Sequence, residues 1–142
     1  MDHVVYVDAK AKELEGLIAG TKTMIIRGAA GRKLPYGRVN IGDTLYFINN
    51  DGEGKVLAKG NVTDVYNSDK MSEDESISLV EKNQDKLRLT EKQFKRWAGK
   101  RYIVLIKIGN VEAIKPFGID KSNYGNMDDW LLVENIDNVK CG

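Results

Sequence analysis

One cysteine, one histidine and two prolines are spread over 142 residues, and each scarcity excludes a class of protein. Cys141 has no partner for an internal disulfide, which suits a reducing compartment; a cytoplasmic location is expected. A single histidine and a single cysteine do not make a conventional zinc site, and a histidine-based catalytic triad would rest on His3 alone. No metal and no cofactor are therefore expected. There is no run of 18 apolar residues to form a membrane helix, so no membrane partner is expected. The opening Met1-Asp-His-Val-Val-Tyr has neither a basic n-region nor an apolar h-region, so a secretory leader is not expected.

The most telling absence is local. From Gly16 to Gly42 there is no aspartate or glutamate, while Lys22, Arg27, Arg32, Lys33 and Arg38 all fall there. The stretch is also rich in glycine. Glycine lets a backbone approach a ligand closely, and unpaired cations favour an anionic one. The net charge of the chain is only +1, but it is segregated. Residues 16–42 sum to +5 and residues 86–107 to +7, with −6 between them. If the two basic blocks meet in space they form a positive patch; if they face apart, each is a solvated surface.

The composition is that of a globular protein, 42% apolar and 30% charged, and the length fits one domain over residues 1–142. Valine and tyrosine predict a strand from His3 to Val7. Asp8 reads as the N-cap of a helix through Ala19, with Leu14, Leu17 and Ile18 at helical spacing and Gly20 as its stop. Thr21 to Arg27 reads as a buried strand, and Gly28 to Arg38 as a loop. Asp43 to Asn49 reads as a strand joined by a hairpin turn to Lys55–Tyr66, which reads as one or two strands broken near Gly60. Ser72 with Glu75, and Thr90 with Gln93, are capping boxes for helices to about Lys86 and Gly99. Tyr102 to Ile108 is the strongest strand signal. Gly109-Asn110 reads as a tight turn into Val111–Ile114, the 118–126 stretch as turns, and Trp130–Val133 as a last strand. Many short strands with two or three helices predict an α+β, mostly β fold closed into a small barrel.

The run Gly20-x-Lys22-x-x-x-x-Arg27, after an amphipathic helix and opening a strand, resembles the signature of ASCH domains. Gly42-Asp43 before Leu45-Tyr46-Phe47 is similar to the start of that family's second strand. The resemblance spans roughly His3 to Lys115. It implies a PUA-like fold: a small β-barrel with flanking helices and a cleft between them, with Lys22 and Arg27 as cleft residues. Some members are amidohydrolases acting on N4-acetylcytidine. Their catalytic threonine falls where the family otherwise has glutamate, and here that position is Ile25, which supplies neither nucleophile nor base.

The expected ligand is thus RNA or a modified nucleoside or nucleotide. Lys22 is read as bonding a phosphate, sugar or base carbonyl, and Arg27 as clamping an anion in bidentate fashion. Were there catalysis, Lys22 is the candidate base, with Thr23 as its neighbour. Gly28-Ala-Ala-Gly31-Arg32-Lys33 offers free N–H groups and two cations to a phosphate, without the context of a KH domain or the ending of a P-loop. Tyr36, between Lys33 and Arg38, suits base stacking. Ser122, Tyr124 and Asn126, before Trp130, suit the reading of a base edge. In the segment from Thr90 to Arg101 five cations surround Phe94 and Trp97, which fits either nucleic-acid contact or a solvated face over a core tryptophan. Asp128-Asp129 lacks the companion carboxylates of a metal site. The alternatives to RNA binding are a small hydrolase of a modified nucleoside, and a module whose basic blocks meet an acidic protein partner.

Overall fold

Valine- and isoleucine-rich segments alternate inward and outward around one curled sheet, described in a computed structural model over residues 1–125 and 128–141. The strands are β1 (Asp2–Val7), β2 (Met24–Ala29), β3 (Thr44–Asn49), β4 (Lys55–Asn67), β5 (Tyr102–Ile119), β6 (Trp130–Glu134) and β7 (Lys140–Cys141). The helices are α1 (Glu13–Ala19), α2 (Glu73–Lys82), α3 (Gln84–Leu87) and α4 (Glu91–Trp97), with a 3-10 turn at Ile136–Asn138. Six strands follow the order β2-β5-β4-β3-β1-β6, and β7 adds to β5. Among the described residues only the β1–β3 pair is parallel. The sheet curls into a half-barrel, a small α+β fold. No helix among the described residues is long and apolar enough to cross a membrane.

Alternation in β2 divides the interior. Ile25 points into the barrel, where Val5, Phe47, Ile106 and Trp130 meet Leu14 and Leu17 of α1. Met24 and Ile26 point the other way and pack with Val80, Leu87, Trp97 and Ile103 beneath the helical layer. Arg27 follows Ile25 by two residues, which carries it to the end of the barrel interior. A third cluster, built on Val4, Ile48 and Leu131, lies on the other face of β1, β3 and β6, because these residues alternate with Val5, Phe47 and Trp130 of the barrel interior.

Both capping boxes form as their residues predict. Four boundaries differ from the expectation. Asp8 does not cap α1: its carboxylate accepts from Ala11 N–H at 3.1 Å within a set of turns, and Lys12 takes a left-handed φ of 55° before the helix begins at Glu13. The second strand starts at Met24 and runs on through Gly28 and Ala29. The helix after Ser72 breaks at Asn83 into α2 and α3. Gly109-Asn110 makes no hairpin, because β5 runs straight on. Asn61 pairs with Gly109 and Lys59 with Glu112, so Asn110 and Val111 stand opposite Gly60 alone. That is a β-bulge, and the left-handed φ of 54° at Asn110 belongs to it.

Candidate functional site

Arg27 is the centre of the most sharply built polar site. It is 8% exposed, at the end of the barrel interior. Its two terminal nitrogens donate to the carbonyls of Ile26 at 2.8 Å and Tyr6 at 2.7 Å. The indoles of Trp97 and Trp130 flank the guanidinium, with ring centroids 5.7 and 5.6 Å from its central carbon. A planar cation held by carbonyls and aromatic faces keeps one orientation, which a lysine cannot do.

Outside Arg27 lies a hollow of about 240 Å³. Its walls come from four places. The end of β2 and the loop after it contribute Gly28, Gly31, Lys33 and Tyr36; the end of α4 and the turn after it contribute Arg96, Trp97 and Lys100; the start of β5 contributes Tyr102; and Asp129 stands just before β6. The two basic blocks of the sequence therefore meet, with Arg27 and Lys33 from the first and Arg96 and Lys100 from the second on one cleft. Gly28 makes the approach possible: a Cβ there would stand 3.2 Å from the Cβ of Lys100 and 3.3 Å from the carbonyl of Tyr102. Arg96 lies over the Trp97 ring at 4.4 Å. A second hollow of about 120 Å³ adjoins the first across Arg27, Arg96, Trp97 and Asp129, and reaches Glu13 and Gln93.

Among the described residues, the walls of both hollows leave out several positions singled out from the sequence. Lys22 sits behind the wall. It is 4% exposed, pairs with Glu13 at 3.1 Å, and donates to the carbonyl of Leu87. Burial lowers its pKa; Glu13 opposes that shift and the charge of Arg27 adds to it. Its partner Glu13, fixed by the N–H of Asp8 at 3.0 Å, is the group that faces the second hollow. Thr23 is exposed, and its backbone bonds to Lys86 and Ile108. Ile25 lies wholly in the core.

Arg32 stands at the rim, stacked on Tyr36 and Tyr102 at 5.7 and 5.6 Å. Tyr36 lines the cleft, but its hydroxyl is tied to the Ser68 carbonyl and its edge meets Tyr102. Arg38 is exposed beyond the cleft. Ser122 is exposed in its own turn, its N–H bonded to Asp120 at 2.9 Å. Tyr124 bonds the Leu132 carbonyl at 3.1 Å and packs on the third core cluster. Asn126 lies outside the described residues. Trp130 is buried and serves the site as the floor beneath Arg27.

Sequence reasoning offered Arg96 and Lys100 as nucleic-acid contacts of the second basic block without assigning them to the cleft of Arg27, and passed over Tyr102 and Asp129. The signal for the first two was the charge of the second basic block. Asp129 had none, since it joins these cations only in space. Among the described residues no cluster of three histidine, cysteine, aspartate or glutamate side chains is placed to hold a metal ion.

The fold is that of ASCH structures. The ASCH protein from Zymomonas mobilis is 14% identical, with a TM-score of 0.68 over 92% of this chain and 87% of that one. A tyrosine-to-phenylalanine variant of that protein superposes with a TM-score of 0.67, at 14% identity, over 92% of this chain and 89% of that one. A serine-to-alanine variant gives 0.68, at 14% identity, over 92% and 87%. No family model matches the sequence, and no curated protein matches it.

Proposed function

We propose that this protein binds RNA, or a nucleotide derived from it, in the cleft between β2 and α4. One observation carries the reading: Arg27, Lys33, Arg96 and Lys100, drawn from two basic blocks with an acidic segment between them, share one hollow with Tyr36, Trp97 and Tyr102. Cations that track phosphates, with aromatic rings set among them, are what contact with a single strand requires. Exposed Arg32 on the rim extends the positive track outward. The likeness to ASCH domains, PUA-like modules that handle RNA, supports the same class of ligand.

In this reading Arg27, Lys33 and Arg32 grip backbone, Tyr36 and Tyr102 offer ring edges, and Lys22 acts from behind by holding Glu13. Arg38, Ser122 and Tyr124 take part only where a strand extends beyond the cleft.

The test is fluorescence anisotropy with a labelled single-stranded RNA at two salt concentrations. Five cations, Arg32 included, less one carboxylate leave about four phosphate charges to neutralise, so affinity should fall about fiftyfold for a fourfold rise in salt. Affinity that does not move with salt, or that survives Lys33→Ala combined with Lys100→Ala, overturns the reading. A nuclease-resistant complex with an acidic protein in place of RNA would point to the protein-partner alternative.

A further inference from the structure

Among the described residues, the basic cleft contains one acid. Asp129, the residue before β6, places Oδ2 3.4 Å from Nε of Arg27 and 3.7 Å from a terminal nitrogen of Arg96. Neither arginine is well served. The Nε–H of Arg27 is buried and, among the described residues, finds no acceptor with hydrogen-bond geometry. The guanidinium cannot turn to find one, because the carbonyls of Ile26 and Tyr6 hold its other end and two indoles flank it. A buried donor left unmade is costly, and such a group in a cleft awaits an acceptor.

We infer that Arg27 and Arg96 form a phosphate seat, and that the Asp129 carboxylate occupies it in the free protein as an internal stand-in. The inference rests on the reading of the cleft as an RNA or nucleotide site, and it names the group the cleft grips. A single carboxylate oxygen serves both arginines only at long range. A phosphate offers more oxygens, arranged tetrahedrally and carrying more charge, so separate oxygens reach the Arg27 Nε–H and the Arg96 fork together. Asp129 is free to leave: its side chain is 41% exposed, while Trp130 beside it stays anchored in the core. Arg96 is free to adjust, since its side chain is 62% exposed and held mainly by stacking on Trp97. An incoming anion must then outcompete a carboxylate already in place, which discriminates against weakly held anions.

The experiment is calorimetric titration with uridine 5′-monophosphate and with uridine, on the wild type, Asp129→Asn, Asp128→Asn and Asp129→Asn/Arg96→Gln. Removing the stand-in should tighten uridine 5′-monophosphate about tenfold and leave uridine unchanged. Asp128→Asn deletes the same charge one residue away and should shift affinity less than about twofold, which separates displacement from a general change in field. The double variant should lose the gain. Equal shifts in the two single variants, or weaker binding by Asp129→Asn, overturn the seat; the second result would make Asp129 a direct acceptor from the ligand. Melting temperature should fall only slightly, because the Asp129 side chain is 41% exposed and an asparagine there keeps an oxygen beside the buried Arg27 Nε–H.

A labelled RNA arm keeps the two readings apart. RNA binding by the wild type without a gain for uridine 5′-monophosphate in Asp129→Asn rejects the seat and leaves the RNA reading. A gain for uridine 5′-monophosphate with no RNA binding by any variant keeps the seat and rejects RNA. Binding of neither probe rejects both.

Discussion

Trp130 donates its indole N–H to Nδ1 of His3 across 3.0 Å, and that bond fixes the protonation state of the chain's single histidine. An Nδ1 that accepts carries no proton, so the proton sits on Nε2, which donates to Asp43 at 2.8 Å. The imidazole is fully buried, and burial lowers its pKa from the ordinary 6.5 against the opposing pull of Asp43. At Asp43 burial pulls upward, but hydrogen bonds from His3 and the Asn40 N–H prevail and hold its carboxyl below the usual range. Below pH 6.5 the unfolded chain therefore binds a proton at His3 that the folded chain refuses. Stability falls on acidification through that window, by at most about 1.4 kcal/mol per pH unit. A second loss, from Asp43, follows at pH values below the ordinary carboxylate range. Thermal melts from pH 7.5 to 5 should show a declining midpoint. In His3→Gln the midpoint should be lower but flat across the same window; an unchanged slope in that variant would show that His3 is not its source.

Lys22 and Glu13 make a buried ion pair, so removing one partner should act on the fold before it acts on a ligand. Lys22→Ala leaves the Glu13 carboxylate buried and unpaired and strands the Leu87 carbonyl. A loss of about 3–5 kcal/mol is expected by denaturant titration. Lys22→Met with Glu13→Gln removes both charges and should recover most of it. Were Lys22→Ala to weaken RNA binding with no change in stability, the lysine would be a ligand contact rather than a prop.

What the sequence made legible was local. Two capping boxes placed α2 and α4, and the apolar run in β5 marked the sheet's longest strand. The β-friendly run between Thr21 and Arg27 was enough to read a buried strand there. What it hid depends on distant partners. Lys22 looks like a free cation because Glu13 reaches it only after the chain turns back at Gly20. Asn110 looks like a hairpin because left-handed asparagines serve turns and bulges alike, and only the pairing with Gly60 separates the two. The cleft itself needed α4 to land beside β2, which charge segregation suggested without fixing.

Gly60 is where the two long strands press closest. A Cβ there would stand 2.8 Å from Ile108 Cγ2 and 3.0 Å from Val111 Cγ2. Gly60→Ala should force the bulge apart and cost about 1–3 kcal/mol, despite the better strand propensity of alanine. Chemical denaturation measures it directly. A neutral or stabilising result would mean that β4 and β5 yield at this crossing.

Arg27→Lys tests whether the site depends on shape or on charge. A lysine keeps the positive charge, but its ammonium cannot bond the Ile26 and Tyr6 carbonyls, lie flat between Trp97 and Trp130, and still present a donor to the cleft. The variant should weaken RNA binding by about tenfold while the salt dependence stays near the wild-type slope, since the count of cations is unchanged. Lys33→Ala should do the reverse, losing less affinity but flattening the slope by nearly one charge. If both variants alter affinity and slope together and to the same degree, Arg27 contributes only its charge, and the orientation imposed by the carbonyls and indoles serves the fold alone.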